Sequence, residues 1–383
     1  MTNSSANMGI YIHIPFCLHK CDYCDFYSLP ITDPVILEKY TRSVISELRR
    51  RASSISGPLA SIYLGGGTPS LLLPQQVERI VNSVFENYQT SSELEISMEA
   101  NPATVNLEDL KGLKCAGVNR LSVGVQSFAD IELKTLGRMH GGHEAESTLR
   151  DVVKAGFNNF NIDLIYGLPG QTLSSWQENL SLAMNFNPQH ISTYLLQLDE
   201  STRMARKVKA GTINLLDDEL ESSLYYTTLD FLAEEGYYHY EISNFARTGY
   251  ECRHNLLYWQ AQEYLGIGCG AVSYINRKRF LNQKNVNHYI EDMLADRPLQ
   301  IEILETMTPR QLAADAIILG LRLTGGIKRE EFRDRFGIDI MEEYRDVIKD
   351  CQTKGFLEVE NDRIYLSKRA YFISNQVFMQ FMD

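Results

Sequence analysis

Between Ile10 and Leu196, short β-branched or aromatic runs alternate with longer segments whose apolar residues recur at helical spacing. This alternation restricts the fold more than any other feature of the chain. Strands are predicted at Ile10–Ile14, Ser61–Leu64, Leu94–Glu99, Arg120–Val125, Asn159–Ile165 and His190–Leu196, and helices at Pro34–Arg50, Pro74–Tyr88, Leu107–Ala116, Glu144–Ala155 and Ser174–Asn185. Several of these helices follow Asp, Ser, Thr or Asn, residue types that cap a helix N-terminus. Alternating strands and helices build a parallel sheet with right-handed crossovers, and six units at this spacing suit an α/β barrel or partial barrel. The loops that follow the strands then share one end, where such folds carry their chemistry. They read HIPFC, GGGTPS, EANP, GVQSF, YGLPG and QLDEST.

Past Asp217 the pattern changes to a long helix, Asp217–Glu235, an aromatic segment GYYHYEISNFA, then CRHNLLYW and a Gly-rich strand-like run at Tyr264–Tyr274. Helices at Thr308–Leu323, Lys328–Phe336 and Met341–Lys354, with a hairpin over Leu357–Leu366 turning at Asn361-Asp362, make a smaller, mostly α-helical, winged-helix-like module. The boundary is expected between Pro298 and Pro309, giving domains 1–300 and 301–383.

The formal net charge of −12 and the lack of any long Lys/Arg block argue against nucleic acid as a partner. The opening MTNSSANMG lacks a basic start and an apolar run, and no stretch reaches eighteen apolar residues, so a cytoplasmic protein without a membrane span is expected. Seven cysteines, an odd number, argue for reduced thiols rather than a disulfide framework. Cys115, Cys252, Cys269 and Cys351 are scattered and read as small buried hydrophobes.

Three cysteines cluster at Cys17, Cys21 and Cys24. Their i, i+4, i+7 spacing fits one helix face, but Pro15 and the strand before it favour a loop whose thiols converge. Zinc is one occupant to weigh, with His13 and His19 as further ligands. An iron-sulfur cubane is the other, and three cysteines leave one of its irons open to a substrate or cofactor.

Cys-x-x-x-Cys-x-x-Cys with Tyr23 before the last cysteine resembles the signature of the radical S-adenosylmethionine (SAM) superfamily. The resemblance implies a partial (β/α)6 TIM-like barrel and a 4Fe-4S cluster on Cys17, Cys21 and Cys24. The open iron then chelates the methionine moiety of SAM, and one electron from the cluster cleaves the sulfonium to a 5′-deoxyadenosyl radical. Gly65-Gly66-Gly67-Thr68-Pro69 resembles the element lining that methionine moiety, where backbone without Cβ comes close to a ligand. Matching motifs of the oxygen-independent coproporphyrinogen oxidase branch imply SAM contacts at Tyr11, Tyr23, Gly66, Gly67, Thr68, Glu99, Gln126, Arg138 (expected in the helix after the fourth strand), Asp163, Gln197 and Val272. His140 and His143 have metal-like spacing but read as a loop of solvated histidines.

Within the branch two readings compete. The oxidase motif continues to a further cysteine, and here that place is Phe26. HemW-type heme chaperones carry His-Asn-x-x-Tyr-Trp, present as His254-Asn255-Leu256-Leu257-Tyr258-Trp259. A neutral imidazole beside aromatic faces suits heme iron, so His254 is the expected axial ligand, with Cys252 as a rival thiolate and a hydrogen-bonded core histidine as the plain alternative. This resemblance implies heme as cargo, recipient hemoproteins in the respiratory chain, contact with the membrane surface and dimerisation.

Overall fold

The computed structural model describes residues 8–31 and 33–382. Most of the opening segment read for an export signal, residues 1–7, lies outside them. Six parallel strands form the core of a twelve-stranded sheet: β1 (Met8–Ile14), β2 (Leu59–Gly66), β3 (Thr90–Ala100), β4 (Arg120–Gln126), β5 (Phe160–Tyr166) and β6 (His190–Leu195), paired in chain order. β1 and β5 are buried at six of seven positions, the near-continuous apolar reading of a parallel strand covered on both faces. Helices Val35–Arg50, Pro74–Asn87, Leu107–Cys115, Gly142–Lys154 and Leu173–Met184 close the crossovers. Asn106 caps one by accepting from Glu108 and Asp109, and Thr172 caps another by accepting from Ser175.

The sheet continues beyond the six strands on both sides. Tyr264–Ile267 pairs parallel with β1, and Asn244–Ala246 pairs antiparallel with β6. These two strands do not pair with each other, so the barrel is partial, as expected. The predicted run at Tyr264–Tyr274 is two strands, Tyr264–Ile267 and Val272–Ile275, separated by Gly268-Cys269-Gly270. Ile301–Thr306 pairs with Lys278–Asn282 and is the last strand of the large sheet. The residues from Met307 onward build a separate core on Ala313, Ile317, Phe332, Ile348, Leu357 and Ile364. Its three-stranded sheet includes Ile327–Lys328 beside the predicted hairpin, whose turn residues Asn361 and Asp362 have φ of 47° and 66°. Among the described residues no helix is long and apolar enough to cross a membrane.

Register divides the barrel interior into layers. Gly9, Tyr11 and His13 of β1 pair with Ser61, Tyr63 and Gly65 of β2, and Ser61 and Tyr63 pair with Glu95 and Ser97 of β3. Helix Arg253–Trp259 closes the lowest layer, at the N-terminal ends of the strands. A Cβ on Gly9 would lie 2.6 Å from Leu257 Cδ1 and 3.0 Å from His254 Cε1, so this closure requires glycine there. The C-terminal module packs on the outside of that helix: Arg335 donates to the Gln260 and Ala261 carbonyls, and Arg322 lies 4.4 Å above the Trp259 ring.

Candidate functional site

A cavity of about 420 Å³ opens at the C-terminal ends of the strands. Its wall includes all three clustered cysteines together with Tyr23, Gly66, Gly67, Thr68, Glu99, Gln126, Arg138, Asp163 and Gln197. Twelve residues singled out on separate strands and loops thus meet in one place.

The cysteine segment is a loop, not a helix. The bridge Phe16–Cys17 pairs with Leu29–Pro30, and the chain between them folds back over the cavity. A chain of hydrogen bonds ties two of the thiols to the strand ends. Thr68 donates to Cys17 Sγ at 3.5 Å, and Asn101 Nδ2 donates to Thr68 Oγ1 at 3.0 Å. Arg138 then donates to Asn101 Oδ1 and the Gly124 carbonyl, both at 2.7 Å, and to Cys21 Sγ at 3.6 Å. Burial pushes the Cys24 thiol up to about 11. Among the described residues no three His, Cys, Asp or Glu side chains close on a single metal ion. His13, weighed as a zinc ligand, has both ring nitrogens engaged, with Tyr11 Oη at 3.0 Å and the Tyr27 carbonyl at 2.9 Å.

The glycine loop serves this packing. Gly66 has φ +113°, and a Cβ there would sit 2.4 Å from the His13 ring; on Gly67 it would sit 2.6 Å from the Phe16 carbonyl oxygen. Both glycines therefore make room for the segment that leads into Cys17. Gly66 N–H donates to Glu99 Oε2 at 3.0 Å, and Tyr63 Oη donates to Glu99 Oε1 at 3.0 Å. Burial first, then the Asp163 carboxylate, push Glu99 up to about 7. Burial raises Asp163 as well, against hydrogen bonds from Ser122 at 2.9 Å and Asn161 at 2.7 Å. Gln126, with φ 68°, ends β4 at a register shift. A non-glycine residue held in that region is strain of the kind that accompanies functional sites.

Three expected site residues lie off the cavity. Tyr11 is one layer below, bonded to His13, and Val272 is on the outer strand Val272–Ile275. His254 is in the floor helix and 1% exposed; its Nδ1 pairs with Ser61 Oγ at 2.8 Å and its Nε2 with Tyr258 Oη at 2.9 Å. Burial, with Arg120 adding to it, lowers its pKa to about 3. The rival Cys252 is fully buried and donates to Glu95 Oε1 at 3.6 Å, its thiol pushed up to about 12.

Two placements correct the sequence reading. Arg138 is not in a helix: Asp130–Leu136 ends at Gly137, whose φ of 71° turns the chain and points Arg138 at the thiols. His140 is not solvated: it is buried, with Nε2 on the Val125 carbonyl at 3.1 Å, and burial lowers its pKa to about 4; only His143 is exposed. Asn101, Tyr63 and Ser122 were missed. Asn101 sits inside the EANP loop, and Tyr63 follows Ser61 by two on the inward face of β2, so period-two reading could have found it.

A partial parallel barrel with three thiols, a guanidinium and two carboxylates lining its mouth defines a class. Residues 11–183 match the Radical SAM superfamily and residues 307–373 match the HemN C-terminal domain. Relatives span nearly the whole chain. "Heme chaperone HemW" of Bacillus subtilis is 34% identical over 97% of this chain and 98% of its own length, and that of Lactococcus lactis is 34% identical over 97% and 96%. The protein of the same name in Escherichia coli is 38% identical over 69% of each chain. Among solved structures, coproporphyrinogen III oxidase (HemN) of Escherichia coli superposes with a TM-score of 0.83 over 98% of this chain and 90% of its own, at 23% identity, which speaks for the fold alone. The chain belongs to the radical SAM superfamily and, within it, to the HemW family.

The cofactors of that class are a 4Fe-4S cluster and SAM, and the donor set fits both. Cubane irons each take one thiolate, so their ligands spread around a cavity rather than close on one ion. Arg138 Nε is buried without a hydrogen-bond partner, and Glu99 and Asp163 offer carboxylates to the hydroxyls and cationic groups of a ligand.

Proposed function

We propose that this chain binds heme and delivers it to hemoproteins, while holding a 4Fe-4S cluster on Cys17, Cys21 and Cys24 and SAM against Tyr23, Gly66, Gly67, Thr68, Glu99, Gln126, Arg138, Asp163 and Gln197. The observation that carries this reading is the full-length similarity to proteins named heme chaperones. Phe26 supports it: where the oxidase motif continues with a further cysteine, this chain has a phenylalanine, 64% exposed at the cavity rim. The finer reading places the recipients in the respiratory chain and the protein in the cytoplasm, as a dimer meeting the membrane surface. Heme coordination through His254 requires the Ser61 or Tyr258 hydrogen bond to open and the floor helix to move.

The experiment is a pair of incubations with anaerobically reconstituted protein. Hemin titration is expected to give a saturable Soret shift, and reduced protein with SAM and coproporphyrinogen III is expected to give no multiple turnover. Repeated formation of protoporphyrinogen IX overturns the reading in favour of the oxidase. Reconstitution itself is expected to yield about four irons per chain, and none in Cys21→Ser; stoichiometric zinc without iron-sulfur absorbance removes the cluster assignment.

A further inference from the structure

We propose that helix Arg203–Lys209 and the adjoining cysteine loop form the docking surface for an acidic one-electron carrier protein that reduces the cluster. The inference rests on the reading of Cys17, Cys21 and Cys24 as cluster ligands.

The chain carries a net charge of −12, yet Arg203, Arg206, Lys207 and Lys209 put four cations and no carboxylate into seven residues. All four are exposed, and Arg203, Arg206 and Lys209 recur every three residues, on one ridge. The ridge is fixed in place. Met204 is fully buried with Leu136, Ile165, Leu168 and Leu196, and its N–H donates to the Asp22 carbonyl at 2.8 Å. The Asp22 carboxylate takes Lys207 Nζ at 2.6 Å and lies 3.7 Å from Arg203. Asp22 adjoins Cys21, so the cations are anchored one residue from a thiol.

The same loop exposes Leu18 at 47% and Phe26 at 64%, and Lys20 Nζ braces it by donating to the Phe26 carbonyl at 3.0 Å. Apolar residues bordered by charge are the anatomy of a protein interface. A basic ridge on an otherwise acidic protein attracts an acidic partner and disfavours a symmetric contact in which two copies of the ridge face each other. Of the nearby carboxylates, Asp22 is engaged by two of the cations, and Asp25, Asp199 and Glu200 stand on the flanking loops. Position decides which acidic partner: the loop under the patch is the one that carries the thiols. One electron leaves the donor's reduced flavin or iron-sulfur centre and enters the cluster; no bond forms or breaks.

The probe is an acidic flavodoxin in its hydroquinone form, mixed with the reconstituted full chain and with the variant Arg206→Glu/Lys209→Glu, which spares the Asp22 pairs. Calorimetry is expected to show binding that weakens with salt, and in the variant binding at least ~10-fold weaker with a shallower salt dependence. Stopped-flow bleaching of the cluster by flavodoxin is expected to slow by a similar factor, while photoreduction through a small neutral deazaflavin stays unchanged, which shows an intact cluster and fold. Equal flavodoxin rates in both proteins overturn the proposal. So does a variant that loses anionic vesicles or hemin but keeps its flavodoxin rate, since the patch then serves a membrane or the heme propionates. A chain that assembles no cluster fails earlier, at the reading on which the proposal rests, and iron analysis tells the two apart.

Discussion

Replacing His254 with alanine removes one of the side chains that join the floor helix to the barrel. Ser61 Oγ and Tyr258 Oη, now 2.8 and 2.9 Å from its nitrogens, are left in a buried site. A buried hydroxyl without its partner costs about 1–3 kcal/mol. A water admitted into the imidazole-sized hole recovers part of that. The ring also packs against Tyr63 with centroids 5.2 Å apart and edge-on against Tyr258 at 5.0 Å, contacts worth about 1–2 kcal/mol more. The expected loss is therefore about 3–5 kcal/mol, measured by urea unfolding at pH 7.5. The pH dependence supplies a second signature. Free histidine titrates near 6.5, whereas His254 in the folded chain titrates at about 3. Between these values the unfolded state binds a proton that the folded state refuses. The contribution of neutral His254 is thus whole above about pH 6.5 and is lost as pH falls toward 3, by about 1.4 kcal/mol per unit. The alanine variant loses stability in acid with a slope shallower by one proton. A cost below about 1 kcal/mol with an unchanged acid slope would refute this account, and abolished hemin binding at unchanged stability would make His254 the axial ligand.

The glycine loop and Glu99 give two further predictions. Gly66→Ala combines φ +113° with a Cβ 2.4 Å from the His13 ring, so unfolding measurements are expected to show a loss of about 3 kcal/mol or more, with iron uptake impaired. Gly170→Ala, with φ +77° and nothing within 4 Å, is expected to cost only about 1 kcal/mol; equal effects at the two sites would remove the packing argument. Glu99, raised to about 7, holds its proton in the folded chain well above the unfolded value, so its contribution to stability declines as pH rises from about 4.5 to 7. If SAM is bound through the carboxylate form, affinity measured by calorimetry rises with pH to a plateau above about 7, and Glu99→Gln flattens that profile.

The six-unit alternation was legible because parallel strands buried on both faces read as short, largely apolar β-branched or aromatic runs, and most of the loops that follow them announce themselves with Gly, Pro or Asn. The mouth residues were legible for the same reason, since chemistry-bearing side chains sit where those runs stop. What failed depended on contacts across the chain. His140 looks solvated beside Gly141-Gly142, yet the Val125 carbonyl of β4 draws it inside. Arg138 follows a helical pattern that Gly137 ends one residue too early for periodicity to register. Gly66 and Gly67 line the cavity, and that their missing Cβ atoms also make room for His13 and Phe16 of the same chain is a contact that sequence does not show. Asn101, which links Thr68 to Arg138, gave no signal beyond its place in EANP.

The position of the HNLLYW segment has an energetic consequence. Glu95 accepts from the backbone of Arg253 at 3.0 Å and of His254 at 3.3 Å, which fastens the start of the floor helix to β3. His254 stacks on Tyr63, Tyr63 donates to Glu99, and Glu99 accepts from Gly66. A continuous set of contacts therefore runs from the helix at one end of the barrel to the carboxylate at the other. Heme taken up through His254 or Cys252 has to pull that helix from Ser61 and Glu95, and the support behind Tyr63 leaves with it. The Glu99 carboxylate at the cavity then loses the packing that holds its Tyr63 partner in place, which weakens SAM if SAM is held there. By linkage the effect is mutual: whatever heme subtracts from SAM affinity through this route, SAM subtracts equally from heme affinity. Heme bound on the outer surface, away from the floor helix, carries no such penalty, so comparing hemin affinity with and without saturating SAM separates the two modes of heme binding.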